Sequence, residues 1–233
     1  MNHLNGSSVH LPGAFMKTAL IRLDGILVPP IWQQIAVVAG IPELIAKQET
    51  LARNAEVLML QRLAALRKHR LSMDDLLFIV SMHEPFSGAA AFVQALRKSD
   101  YRIIVVSDAL PELARHFATL LGDVGLHTDG SFPEGNWSWL WKDDTVLIGQ
   151  TASDVIHLRQ SKIRFLFRPS QHTLSLANGI AVAQHYREIL NEVDALGHLE
   201  QSDSVEIARV LAGTPRFAAQ VTALRITTSP WLQ

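Results

Sequence analysis

The sequence has no cysteine, which excludes disulfides, thiol nucleophiles and cysteine-held metals together. No apolar run is long enough to span a bilayer. The stretch from Met1 to Phe15 is polar and turn-rich, without the charged and then apolar order of a secretory leader. An excess of charge is lacking too: 21 lysines and arginines face 22 aspartates and glutamates, for a net charge of −1. That balance leaves no broad basic surface for nucleic acid. There is no Gly-rich phosphate loop and no G-x-S-x-G elbow. The ten histidines show no metal-ligand spacing, and His116, His157 and His185 read as singletons on the surface or hydrogen-bonded in the core. A cytoplasmic protein with neither a membrane nor a nucleic-acid partner is the expectation.

What is present is apolar bulk. At 233 residues and 48% hydrophobic content, the chain can bury a sizeable core as one large domain, or as a core with a smaller insert. Ala19-Leu20-Ile21 opens a buried strand that turns at Asp24-Gly25. Pro29 and Pro30 then precede a helix starting near Ile31, because proline suits a first helical turn. Between Pro42 and Met82 the period is helical, with Leu58, Leu63 and Leu66 before a break at Arg70-Leu71-Ser72. Ser72 with Asp75 predicts an N-cap for a second helix. Helices are also predicted from Gly88 to Arg97 and from Pro111 to Leu121. Strands are predicted at Tyr101–Val106, at Thr145–Ile148 before Gly149, and at Ile163–Phe167 before Arg168-Pro169.

Alternating strands and helices predict an α/β fold with a parallel sheet flanked by helices. Ligands of such sheets sit beyond the carboxyl ends of the strands. The polar residues at those ends are Arg22 to Gly25, Ser107-Asp108, Gly149 to Asp154, and Arg168.

In that order and spacing, Ile21-Arg22-Leu23-Asp24-Gly25-Ile26-Leu27-Val28-Pro29 resembles the first motif of phosphoserine phosphatases of the haloacid dehalogenase superfamily, those with homoserine phosphotransferase activity in particular. The likeness continues through Ile31-Trp32, Val57-Leu58-Met59, Gln61-Arg62-Leu63, Pro85, Gly88, Phe92-Val93 and Leu96-Arg97. Val106-Ser107-Asp108 looks like the second motif, and Gly149 to Asp154 stands in the place of the fourth. The resemblance implies a Rossmann-like core over 17–41 and 83–197, with an inserted helical cap over 42–82. Residues 1–16 would be a flexible lead-in and 198–233 a helical extension, packed on the core or against a second copy in a homodimer.

Family chemistry, as the resemblance implies it, needs a carboxylate nucleophile, a second acid two residues later, a magnesium ion held by carboxylates, and a lysine with a hydroxyl for the phosphoryl oxygens. Here Arg22 stands in the nucleophile's place, and Gln150 in that of the leading aspartate of the fourth motif. Pro30 replaces an acidic residue. Before Thr145 the chain is too short for a lysine-bearing strand and helix, and Lys142 reads as a surface residue.

Magnesium is therefore not expected, nor is any other cofactor. Exchanging two carboxylates and a metal for Arg22 and Gln150 moves that trio from about zero to about +1, which suits a small anionic metabolite. Asp24 is the candidate catalytic acid or base. Arg22, Arg62, Ser107, Asp108, Gln150 and Asp154 are the candidate substrate-binding residues. Each has a plainer reading. Arg22 pairs with Asp108 or Asp154 in a dead site, Asp24 closes a turn, and Arg62 lies on a solvated helix face. Trp137, Trp139 and Trp141 alternate along a strand, as core or dimer packing or as an aromatic wall. Three functions stay open: metal-independent binding and transformation of an anionic metabolite, a non-catalytic descendant acting through protein contacts, and residual phosphatase chemistry through Asp24.

Overall fold

The computed structural model describes residues 17–45, 55–129 and 145–193. The Trp137-Trp139-Trp141 run, Lys142, the lead-in 1–16 and the extension 198–233 lie outside the described residues. The first strand, β1 (Lys17–Arg22), is buried from Ala19 onward. It runs at the centre of a six-stranded sheet, with β2 (Tyr101–Val106) parallel on one side and β4 (Thr145–Gly149) parallel on the other. Beyond β2 lies β3 (Gly125–His127), and beyond β4 lie β5 (Ile163–Phe167) and β6 (Ala181–Ala183). The order β3-β2-β1-β4-β5-β6 leaves β1 one way to reach β2 and places β4 on its opposite flank. The β1–β4 gap is thus the topological switch point, where the crevice of an open α/β sheet lies.

Strand parity sorts the two cores. Ala19 and Ile21 face the larger cluster, built with Ile31, Ile35, Phe92, Val93, Leu96 and Ile189 among others. Leu20 faces the smaller one, with Val106, Leu147, Val155, Leu158 and Leu166. Two residues beyond Leu20, Arg22 lies on that second face at the strand's carboxyl end.

The helices begin where the sequence supplies the chemistry. α1 (Ile31–Ala39) follows Pro29-Pro30 and ends at Gly40 in the left-handed conformation, whose N–H donates to the Ala36 carbonyl. After a 3-10 turn at Pro42–Leu44 come α2 (Ala55–Lys68) and α3 (Met73–Ser81). Ser72 and Asp75 close a reciprocal capping box at the start of α3. α4 (Ala89–Lys98) and α5 (Pro111–Leu120) flank β2 in the chain. α6 (Asp154–Leu158), α7 (Gln171–Leu176) and α8 (Tyr186–Glu192) are short. From the start of α8, Tyr186 stacks on Phe92 and Phe167 and donates its hydroxyl to the Ile26 carbonyl at 2.6 Å. This fastens the loop after β1 from below.

Candidate functional site

Four chain segments meet at the carboxyl edge of the sheet: the turn after β1, the end of β2, the turn after β4, and α2 reaching over from outside. The first turn is stitched to itself. Gly25 N–H donates to the Val28 carbonyl, and Leu27 and Val28 N–H both donate to the Leu23 carbonyl. Gly25 has φ +78°, and a β-carbon there would stand 1.9 Å from the Gln150 side-chain oxygen, so glycine alone fits. Gln150 uses its amide to donate to the Gly25 carbonyl at 3.0 Å, linking the turn after β4 to the turn after β1.

Arg22 and Asp154 form the centre. Asp154 is fully buried and Arg22 nearly so, with 6% exposure. Arg22 Nε donates to Asp154 Oδ2 at 3.2 Å, and Nη2 donates to Oδ1, a two-pronged pairing. Asp154 Oδ2 also accepts from Gln150 N–H, Thr151 N–H and the Thr151 hydroxyl, each at 2.9 Å. Gly149 permits this closeness, since a β-carbon there would lie 2.6 Å from Asp154 Cβ. Burial disfavours both charges, but for each the partner outweighs it. Arg22 holds its proton more tightly than usual, and Asp154, with its hydrogen bonds added, is held below the usual carboxylate range. The open anion-binding fork expected of Arg22 is not found, because Asp154 takes it edge-on.

Asp24 sits half-buried at the mouth. Its Oδ1 accepts from Ile31 N–H at 3.0 Å, so it caps the otherwise unpaired first turn of α1 from seven residues upstream. Its Oδ2 accepts from the Ser107 hydroxyl at 2.5 Å, and Ser107 Oγ in turn accepts from Ala109 N–H at 3.1 Å. Burial first, and the negative charge of Asp108 second, push the Asp24 carboxyl up to about 6 against these hydrogen bonds.

Arg62, from α2, is also buried. Its Nη1 donates to Asp108 Oδ2 at 2.8 Å, its Nε donates to the Leu44 carbonyl at 3.2 Å, and its guanidinium lies over the Trp32 ring at 4.6 Å. Trp32 in turn donates its indole N–H to the Asp108 carbonyl at 3.0 Å. The solvated helix face weighed for Arg62 does not describe it. A signal was present, since Leu58, Arg62 and Leu66 are spaced by four and share one stripe of a helix. Gly25 and Thr151 fall within the strand-end stretches singled out from sequence, whereas Trp32 and the Leu44 carbonyl were not among the candidate site residues.

The seven candidate residues therefore gather at one edge: two ion pairs, the Asp24–Ser107 hydrogen bond, whose carboxylate feels the charges of Arg22 and Asp108, and Gln150, whose backbone N–H donates to Asp154. Arg168, the other strand-end residue, turns away toward β6. Its Nε donates to the Gln184 carbonyl at 2.7 Å and its guanidinium lies over Phe167.

No family model matches the chain. It is 34% identical over 107 residues to a phosphoserine phosphatase named ThrH from Pseudomonas aeruginosa, a match covering 46% of this chain and 51% of that protein. A phosphoserine phosphatase from Pseudomonas syringae pv. tomato is 34% identical over 107 residues, covering 46% and 44%. The chain thus spans about half the length of the curated relatives it matches. Among solved structures, a phosphoserine phosphatase in its apo form superposes with a TM-score of 0.56 at 18% identity, over 75% of this chain and 98% of that one. The fold is that of the haloacid dehalogenase superfamily in its phosphoserine-phosphatase-like form.

Proposed function

We propose that this chain is a phosphoserine-phosphatase-like protein that no longer transfers phosphoryl groups and acts instead by binding, through contacts with a protein partner. The observation that carries the reading is the closed, two-pronged pairing of Arg22 with Asp154 at the switch point. In the resemblance Arg22 stands where a carboxylate would attack phosphorus, and a guanidinium keeps its proton and offers no such lone pair. Asp24 is a poor substitute, since both its oxygens are engaged by Ile31 and Ser107.

The residues present do not fit the family's magnesium ion. Asp154 already accepts five hydrogen bonds, and Gln150 has replaced the aspartate the motif would supply. Among the described residues, no group of three or more His, Asp or Glu is arranged to hold a metal. Nor does the edge hold surplus positive charge for a phosphate. Arg22 and Arg62 contribute +2, and Asp24, Asp108 and Asp154 contribute −3 when ionised, for a sum of −1. The +1 counted from Arg22 and Gln150 alone is spent on Asp154.

A second reading, binding and acid–base transformation of a small metabolite without metal, is favoured by one observation. Asp24 is half-buried with its carboxyl pushed up to about 6, near enough to neutrality to suit a proton-transfer group. The test is turnover of phosphoserine and of an aryl phosphate, with and without magnesium, in the wild type and in Asp24→Asn. No turnover in any arm is expected. Magnesium-dependent turnover abolished by Asp24→Asn overturns the proposal and makes Asp24 a nucleophile.

A further inference from the structure

The Arg22–Asp154 pair joins two segments 132 positions apart in sequence. On the β4 side, the turn at 150–154 wraps its own carboxylate. Three donors from Gln150 and Thr151 converge on Asp154 Oδ2. Arg22 shares Oδ2 through its Nε and takes Oδ1 through Nη2. On the β1 side, Arg22 projects from the strand end onto the face where Val155 and Leu158 of α6 pack. Asp24 and Asp108 also lie near enough for their charges to reinforce the guanidinium. A cation is therefore built into the joint between β1 and the β4 turn. On the β4 turn it meets the edge of one carboxylate, which suits a flat fork of donors rather than a point charge.

We infer that Arg22 is the resident structural cation of this sheet edge, and that the buried space its guanidinium fills is a socket selective for guanidinium-type cations over a divalent metal. The inference does not depend on whether the chain hydrolyses phosphate, because its readout is stability. Removing the side chain while keeping Asp154 leaves a buried carboxylate facing a space of guanidinium size. A small diffusible cation of that shape binds there and restores the joint. Magnesium, which demands several oxygen ligands in octahedral geometry, does not.

The test is thermal unfolding of the full chain carrying Arg22→Gly, titrated with methylguanidinium chloride or with magnesium chloride at matched ionic strength. Arg22→Gly is expected to lower Tm by about 4–12 °C, less than a fully broken buried pair would in a domain of this size, because Asp154 keeps its three turn donors. Methylguanidinium should recover at least about half of that loss and saturate, as binding to a native-state site requires. It should leave the wild type and the Arg22→Gly/Asp154→Ala double variant unimproved. Recovery by magnesium, equal recovery in the double variant, or a loss with no recovery overturns the inference. If Arg22→Gly does not fold, Arg22→Lys decides. A point charge should not replace the fork, so a Tm equal to the wild type's sinks the idea.

Discussion

Asp154→Ala should be among the most damaging single substitutions at the sheet edge, and more damaging than removing its partner. Asp154 is fully buried and accepts five hydrogen bonds, two of them from a guanidinium with 6% exposure. Its loss leaves Arg22 as an uncompensated buried cation, and breaking such a pair costs about 3–5 kcal/mol. The two turn N–H groups and the Thr151 hydroxyl add less, because Gln150 and Thr151 are only half-buried and water can reach them. Arg22→Met is milder, at about 2–3 kcal/mol, since Asp154 keeps its three turn donors. The double variant Arg22→Met/Asp154→Leu removes both charges and fills the space with apolar volume. It should return to within about 1–2 kcal/mol of the wild type, as replaced buried pairs do. The assay is urea unfolding, with midpoints compared at unchanged slope. An Asp154→Ala loss below about 1 kcal/mol, or single effects that simply add in the double variant, would refute the reasoning, because charges that do not need each other are not buried as a pair.

Asp24 gives a pH signature of opposite sign to that of Asp154. Its carboxyl is raised to about 6 in the fold against about 3.9 unfolded, so the native state binds the extra proton and stability falls as pH rises between those values. Asp24→Asn abolishes that slope. Relative to the wild type it should gain about 1–2 kcal/mol between pH 4 and pH 7 in chemical unfolding, after allowance for partial solvent screening at its half-buried position, and a flat difference would remove the argument. Arg62→Lys keeps the charge but loses the flat fork that serves Asp108, the Leu44 carbonyl and the Trp32 face at once. A loss of about 2–4 kcal/mol is expected in the same assay, and near-wild-type stability would show that Arg62 acts only as a point charge.

The long strands were legible because their carboxyl-terminal stretches are buried on both faces and read as apolar runs, interrupted only near their starts by Arg102 and Arg164. Tyr101–Val106 and Ile163–Phe167 appear with the bounds expected from sequence. The start of α3 was legible because Ser72 and Asp75 carry the capping chemistry in the side chains themselves. β3 and β6 were not. Each has three residues, and Gly125 and Val182 are exposed, so no apolar signal marks them. The partner of Arg22 was left between Asp108 and Asp154, yet strand parity distinguishes them. Arg22 shares a face with Leu20, and so do Val155 and Leu158, which follow Asp154 on α6. Parity is local information, whereas knowing that α6 covers that face requires the sheet order. The same limit applies to Asp24, whose role as a cap for α1 depends on a turn that folds back over seven residues.

The hydroxyl of Tyr186 has a consequence for how the chain assembles. It reaches the Ile26 carbonyl across 160 positions, so the turn made first in synthesis is fastened last. At ~5–20 residues per second, the segment bearing Ile26 waits on the order of 10–30 seconds for its support. For most of that interval the central strand lacks its β4 neighbour as well, since β4 too comes late in the chain. Arg22 meanwhile has no buried carboxylate to meet and stays hydrated. The charged joint at the switch point therefore waits for β4 and the turn that follows it, and the centre of the sheet edge is neutralised only after most of the chain has been made.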